Sequence, residues 1–225
     1  MAQSLHPIMI PIEDGSSVSG LLCLPTEPLN CFVLAHGAGA GMAHPFMAAV
    51  ADGLAQRGVA TLRYQFPFME RGSKRPDSPA VAHAAVRAAV SEAHRRLPDV
   101  PLFAGGKSFG GRMTSQAQAQ APMPGVRGLV FIGFPLHPAG KPSQERAAHL
   151  QKVDCPMLFL QGTRDELAEL TLLQDVLDPL GDRVTLKVIE DADHSFHVRA
   201  RSGQTDDQVR AAMIEAMVGW FSSSR

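Results

Sequence analysis

The sequence predicts an α/β fold: a single domain, residues 1–225, on a mostly parallel sheet with an N-terminal antiparallel hairpin and helices on both faces. Three observations carry that expectation. Short apolar runs alternate with helix-like stretches along the chain. Most of those runs are too short and too uniformly apolar for a surface helix, and they stop at Gly or Pro as buried strands do. At 225 residues the chain suits one domain, able to bury roughly 70% of its unfolded surface without metal or disulfide.

Taken in order, the runs at 8–12 and 18–24 straddle Asp14-Gly15-Ser16 and read as an antiparallel hairpin. Central strands are then expected at 32–35, 59–64, 102–104, 129–132, 157–160 and 184–189. Between them lie helices expected at 45–57, 79–96, 110–120, 166–180 and 206–221. In the last, Val209, Met213, Met217 and Trp220 recur at helical spacing, and Thr205 with Gln208 forms a capping box. Gly58 and Gly181 stand where helices end. The longest connection, 136–154, has room for one short helix, so no large lid is expected.

Composition narrows the function. With 45% hydrophobic and 19% charged residues the chain is not disordered. Its 21 basic residues against 22 acidic ones argue against nucleic acid as a partner, because phosphate binding needs a basic excess. No apolar run approaches the ~18 residues of a membrane span, and residues 1–20 lack the pattern of a signal peptide. Cys23, Cys31 and Cys155 are sparse and without metal spacing, which fits a reducing setting, the cytoplasm.

The chemistry concentrates in Gly106-Lys107-Ser108-Phe109-Gly110, a G-x-S-x-G between an expected strand and an expected helix. A nucleophilic serine has to project from a very tight turn, and flanking glycines remove the Cβ atoms that would collide there. Such a turn leaves the Phe109 amide at a helix N-terminus, facing a forming oxyanion. A serine hydroxyl is a weak nucleophile at neutral pH and needs a base with an orienting carboxylate. The expected order is serine, acid, histidine, each after a strand. Asp165 follows the strand at 157–160, and His194 follows the one at 184–189. Glu166 competes as the acid, Asp165 can alternatively cap the following helix, and His197 rivals His194. Asp191 and Asp193 read as turn residues around the histidine. The H-x-x-H spacing lacks further ligand motifs, so no metal and no cofactor are expected.

A second oxyanion donor is expected in His36-Gly37-Ala38-Gly39-Ala40-Gly41, where small residues let backbone approach a carbonyl; Ala38 is the candidate and Gly39 the runner-up. His36 reads as a hydrogen-bonding anchor of that loop. Residues 63–75 interleave Tyr64, Phe66, Phe68 and Met69 with Arg71, Lys74 and Arg75. They read either as an apolar subsite with a basic rim or as core aromatics under solvated charges. Lys107, beside the nucleophile, either touches substrate or points to solvent.

These motifs resemble the α/β-hydrolase superfamily over nearly the full length, in its compact dienelactone-hydrolase-like group. Arg63-Tyr64-Gln65-Phe66-Pro67-Phe68-Met69-Glu70 and Gly133-Phe134-Pro135-Leu136-His137-Pro138 resemble the hydrolase-like family that includes the Tex and KANSL-complex-related proteins. Members of that family carry Asn where Gln65 stands and Tyr where Phe134 stands. The resemblance thus implies an α/β-hydrolase fold and the triad Ser108, Asp165 and His194; Gly39, Tyr64, Phe66, Lys107 and Phe134 are the candidate pocket residues.

The expected activity is hydrolysis of a small soluble ester or related acyl bond, with a small-molecule acyl substrate as partner and the protein a monomer or homodimer. A non-catalytic binding or scaffold module of the same fold is the alternative. Nucleotide binding is disfavoured, because a phosphate-binding loop needs glycine where Pro101 stands.

Overall fold

A computed structural model describes residues 3–224. Nine-residue strands β1 (Gln3–Pro11) and β2 (Ser17–Pro25) form the expected hairpin. Six parallel strands follow: β3 (Asn30–Ala35), β4 (Val59–Tyr64), β5 (Leu102–Lys107), β6 (Val126–Ile132), β7 (Met157–Gly162) and β8 (Val184–Ile189). The single eight-stranded sheet has the order β1-β2-β4-β3-β5-β6-β7-β8, with β2 antiparallel to β4. The chain steps from β3 to β4 on one side, then returns to place β5 on the other side of β3. Loops leaving the carboxyl ends of β3 and β5 therefore diverge and open a crevice, the general ligand position in such sheets.

The two faces carry separate cores. Helices α1 (Pro45–Ala55) and α6 (Asp206–Ser223) bury Met47, Val50, Leu54, Met213, Met217 and Phe221 against Phe32, Phe103 and Leu158. On the other face α3 (Pro79–Arg96), α4 (Phe109–Gln120) and α5 (Leu170–Leu177) pack Val86, Val90, Met113 and Leu173 onto Val33, Phe131 and Phe159. Each large side chain so buried contributes roughly 1.5–3 kcal/mol of transfer free energy. The strands at the centre of the sheet therefore read as unbroken apolar runs. Pro45 and Pro79 start their helices where the missing N–H costs nothing, and the Thr205–Gln208 capping box forms at α6.

Three elements differ from the sequence reading. A short helix α2 (Pro67–Glu70) lies inside the 63–75 segment. The helix expected at 166–180 shrinks to α5, because Asp165 Oδ1 accepts the Leu167 N–H at 2.8 Å and holds 165–169 in a loop. The chain then turns into 3-10 structure at Asp178–Arg183, where Gly181 adopts φ +58. Between β6 and β7, a 3-10 helix at Glu145–Lys152 stands where one short helix was expected, and no large lid lies in that connection among the described residues. Among the described residues no helix is long and apolar enough to cross a membrane.

Candidate active site

Ser108 sits between β5 and α4 with φ 50 and ψ −116, a backbone conformation that a residue bearing Cβ adopts only under constraint. Its neighbours supply that constraint. A Cβ on Gly106 would lie 2.3 Å from the Ala35 carbonyl oxygen, and one on Gly110 2.5 Å from that of His36. Only glycine allows β5 and α4 to approach β3 this closely. The Ser108 N–H donates to Ile132 O at 3.1 Å, anchoring the turn to β6 as well.

The elbow presents Ser108 Oγ to His194, whose Nε2 lies 2.8 Å away. On the far side of the ring, Nδ1 lies 2.7 Å from Asp165 Oδ2. A neutral imidazole facing a carboxylate keeps its proton on that side, which leaves Nε2 to accept the serine hydroxyl proton. Asp165 follows β7, His194 follows β8, and the adjacent parallel pairing of those strands brings the two loops together. Three residues distant in sequence are thus joined by two hydrogen bonds.

The side chains that hold this arrangement in place were missed in the sequence reading. Buried Gln161, the penultimate residue of β7, donates from Nε2 to Asp165 Oδ2 at 2.6 Å and accepts the Phe134 N–H at 3.0 Å. Asp165 Oδ1 is taken by the Leu167 amide, so both carboxylate oxygens are fixed. Buried His137 accepts the Glu169 N–H at 3.1 Å and ties the loop after β6 to the loop carrying the acid. A polar residue closing an otherwise apolar strand was the available signal for Gln161.

Asp193 Oδ1 accepts the N–H groups of Ser195 and His197 at 2.8 and 3.0 Å, shaping the turn that presents His194. His197 itself is exposed and pairs with Asp206 at 2.9 Å, which raises its pKa. Glu166 is exposed, unlike buried Asp165, and α5 takes its N-cap from Glu169 rather than from Asp165. Lys107 turns its amine under the histidine loop: Nζ donates to the His194 carbonyl and lies 5.4 Å from the Phe196 ring centroid. Burial pushes this amine down to about 8, against the pull of Asp165 and Asp193.

The backbone N–H groups of Ala38 and Phe109 donate to no other described group. Phe109 opens α4, where the first amides have no acceptor within the helix, and Ala38 lies across the crevice on the loop after β3. Its loop is braced from behind. Fully buried His36 bonds Gly37 O through Nδ1 at 2.7 Å and accepts the Phe66 N–H at Nε2, so neither ring nitrogen is free. Burial holds that imidazole below its ordinary pKa, in its neutral form. Arg63 donates to Met42 O at 3.0 Å, and Gln65 accepts the Met42 N–H at 2.9 Å.

These contacts correct one expectation. Tyr64, Phe66 and Phe134 are fully buried and do not line the cleft. Phe66 packs between Tyr64, His36, Phe68 and Phe109, while Phe134 packs on Phe131 and Phe159. The aromatics of 63–75 are core because Tyr64, Phe66 and Phe68 pack on one another, on His36 and on Phe109. Gly39 and Lys107 do reach the cleft, a cavity of about 390 Å³ whose wall also includes Phe46, Met47, Leu167 and His194. Among the described residues no three His, Cys, Asp or Glu side chains cluster as a metal site.

The sequence profile of the alpha/beta hydrolase domain family matches residues 28–222. Among solved structures, a dienelactone hydrolase from Anabaena variabilis is similar at 20% identity and TM-score 0.81, with 99% of each chain covered. A lidless α/β serine hydrolase from Xanthomonas campestris is similar at 20% identity and TM-score 0.76, over 98% of this chain and 96% of that one. An α/β serine hydrolase homologue from Coxiella burnetii gives 18% identity and TM-score 0.75, over 94% and 96% of the two chains.

Proposed function

The chain belongs to the alpha/beta hydrolase family, and from that premise we propose that it is a serine hydrolase of small soluble esters or related acyl compounds. The observation that carries this reading is the continuous hydrogen-bonded line from the Asp165 carboxylate through both His194 nitrogens to Ser108 Oγ. As Oγ attacks the acyl carbon, His194 Nε2 takes the hydroxyl proton, and Asp165 holds Nδ1 and stabilises the imidazolium. The developing oxyanion accepts from the Phe109 and Ala38 amides, each donor worth about 3 kcal/mol of barrier. The imidazolium then protonates the leaving alcohol. Water, deprotonated by the same nitrogen, cleaves the acyl-serine and releases the acid. The cleft volume suits a small substrate.

We also place the chain in the compact dienelactone-hydrolase-like group, close to the Tex and KANSL-complex-related proteins, on the segments at 63–70 and 133–138. A cytoplasmic setting accords with its three free cysteines. The decisive experiment treats the protein with a fluorophosphonate and with short-chain p-nitrophenyl esters. The expected result is a covalent adduct on Ser108 and turnover that falls by about 10⁴-fold or more in Ser108→Ala. Absence of both adduct and turnover above that variant overturns the reading.

A further inference from the structure

The cleft continues past Ser108 into a second lobe of about 360 Å³, which shares Ala38, Ser108 and Leu167 with the first and has a different wall. The first lobe contains His194 and the apolar side chains of Phe46 and Met47; the second contains Arg112, Arg146 and Asp77. Arg112 stands on α4 one helical turn beyond the nucleophile, its N–H bonding Ser108 O at 3.1 Å. Arg146 belongs to the 3-10 helix between β6 and β7.

Neither guanidinium has an ion-pair or hydrogen-bond partner among the described residues, and Arg112 Nε is buried with its donor unused. Burial and the neighbouring Arg146 charge both push Arg112 below its ordinary pKa, and the two cations share one lobe wall. Asp77, on the same wall, pairs through Oδ1 with Arg71 at 2.6 Å; its Oδ2 is buried without a hydrogen-bond partner, and it forms no ion pair with Arg112 or Arg146 among the described residues. Nearby His149 adds no positive charge, since burial and Arg112 push its pKa down to about 4. Both arginines are half-buried, and a guanidinium drawn this far from water is normally paired. A pair left open beside a nucleophile is a receptor for an anion.

The direction of the chemistry says which part of the substrate carries that anion. The leaving group must depart next to His194, the group that protonates it, and therefore occupies the first, apolar lobe. The acyl chain is left for the second. We propose, resting on the serine-hydrolase reading above, that the substrate is a half-ester of a short dicarboxylic acid, its free carboxylate held by Arg112 and Arg146 and its apolar alcohol beside Phe46 and Met47. Guanidinium forks match carboxylates in geometry as well as charge.

The test compares monobenzyl glutarate with benzyl pentanoate, an ester of similar length without the carboxylate, by chromatographic measurement of benzyl alcohol, with Ser108→Ala as blank. The expected result is a kcat/KM at least about tenfold higher for the half-ester. In Arg146→Gln, and in Arg112→Met with Arg146→Gln, the ratio of the two substrates falls towards one. A ratio is insensitive to partial loss of folded protein, so a weakly folding variant still reports. Equal or preferred hydrolysis of the neutral ester by the unaltered enzyme, or an unchanged ratio in the variants, overturns this inference and leaves the hydrolase reading intact. Serine-dependent turnover of neither ester overturns this inference, and the hydrolase reading falls with it only if Ser108 also takes no fluorophosphonate adduct.

Discussion

The elbow at Gly105–Gly111 and the segment at 63–75 both abut the loop after β3 and both carry residues suggestive of chemistry, yet they do opposite work. In the elbow every residue type answers to backbone geometry: Gly106 and Gly110 admit the close approach of β3, and Ser108 is held at positive φ. In the 63–75 segment, the aromatics are enclosed, and the contribution to the site is made by Arg63, Gln65 and the Phe66 N–H, which brace the loop bearing Ala38. A residue forced by backbone geometry declares itself in sequence. One whose role depends on what packs over it does not.

The sharpest way to break that contrast is at the acid. Asp165→Asn keeps the size of the side chain but removes the charge that fixes the His194 tautomer. We expect kcat to fall by about 10⁴-fold, with far-UV circular dichroism unchanged. Glu166→Gln, at the exposed neighbour, is expected to leave kcat within about twofold. Should the two variants lose activity equally, the carboxylate assignment is wrong.

How far the sequence was legible follows the same division. The strand–turn–helix context of Ser108, and its meeting with Asp165 and His194, were readable because parallel strands deliver their loops to one edge of the sheet, whatever covers the faces. Gln161 stood out only as a polar residue near the end of an apolar strand, and its bonds to Asp165 and to the Phe134 N–H arise only in three dimensions. The pair Arg112 and Arg146 was hidden because α4 and the 3-10 helix after β6 meet only in three dimensions. The overlong helix expected at 166–180 failed for a local reason: Asp165 draws the Leu167 amide to its side chain, and a helix cannot start until that loop is complete.

A smaller effect separates positioning from contact with substrate. Lys107 lines the cleft, yet its amine is committed to the His194 carbonyl and the Phe196 ring. Lys107→Met is expected to lower kcat roughly tenfold with little change in KM, because His194 loses a tether rather than the substrate a partner. A KM effect exceeding the kcat effect would instead make Lys107 a substrate ligand. Stability supplies a second readout. The amine titrates near its ordinary 10.5 when unfolded and at about 8 when folded. Between those values the unfolded chain binds the extra proton, so folding gains stability as pH rises through this window. Urea titrations across it should show that gain in the unaltered protein and a correspondingly smaller one in Lys107→Met.

The smallest expected effect probes the other region and carries the opposite sign. Tyr64 is enclosed by Phe66 and the sheet, and its hydroxyl is buried with no hydrogen-bond partner among the described residues. Burial raises its pKa, so the phenol stays protonated and an unused donor is carried in the core. Removing such a group relieves a desolvation penalty and leaves the ring packing in place. Tyr64→Phe is therefore expected to be neutral or up to ~1 kcal/mol more stable in thermal unfolding, with kcat/KM unchanged across an ester panel. A shifted chain-length preference would return Tyr64 to the substrate's side of the wall, because a buried ring that only packs has no means of sensing the length of an acyl chain.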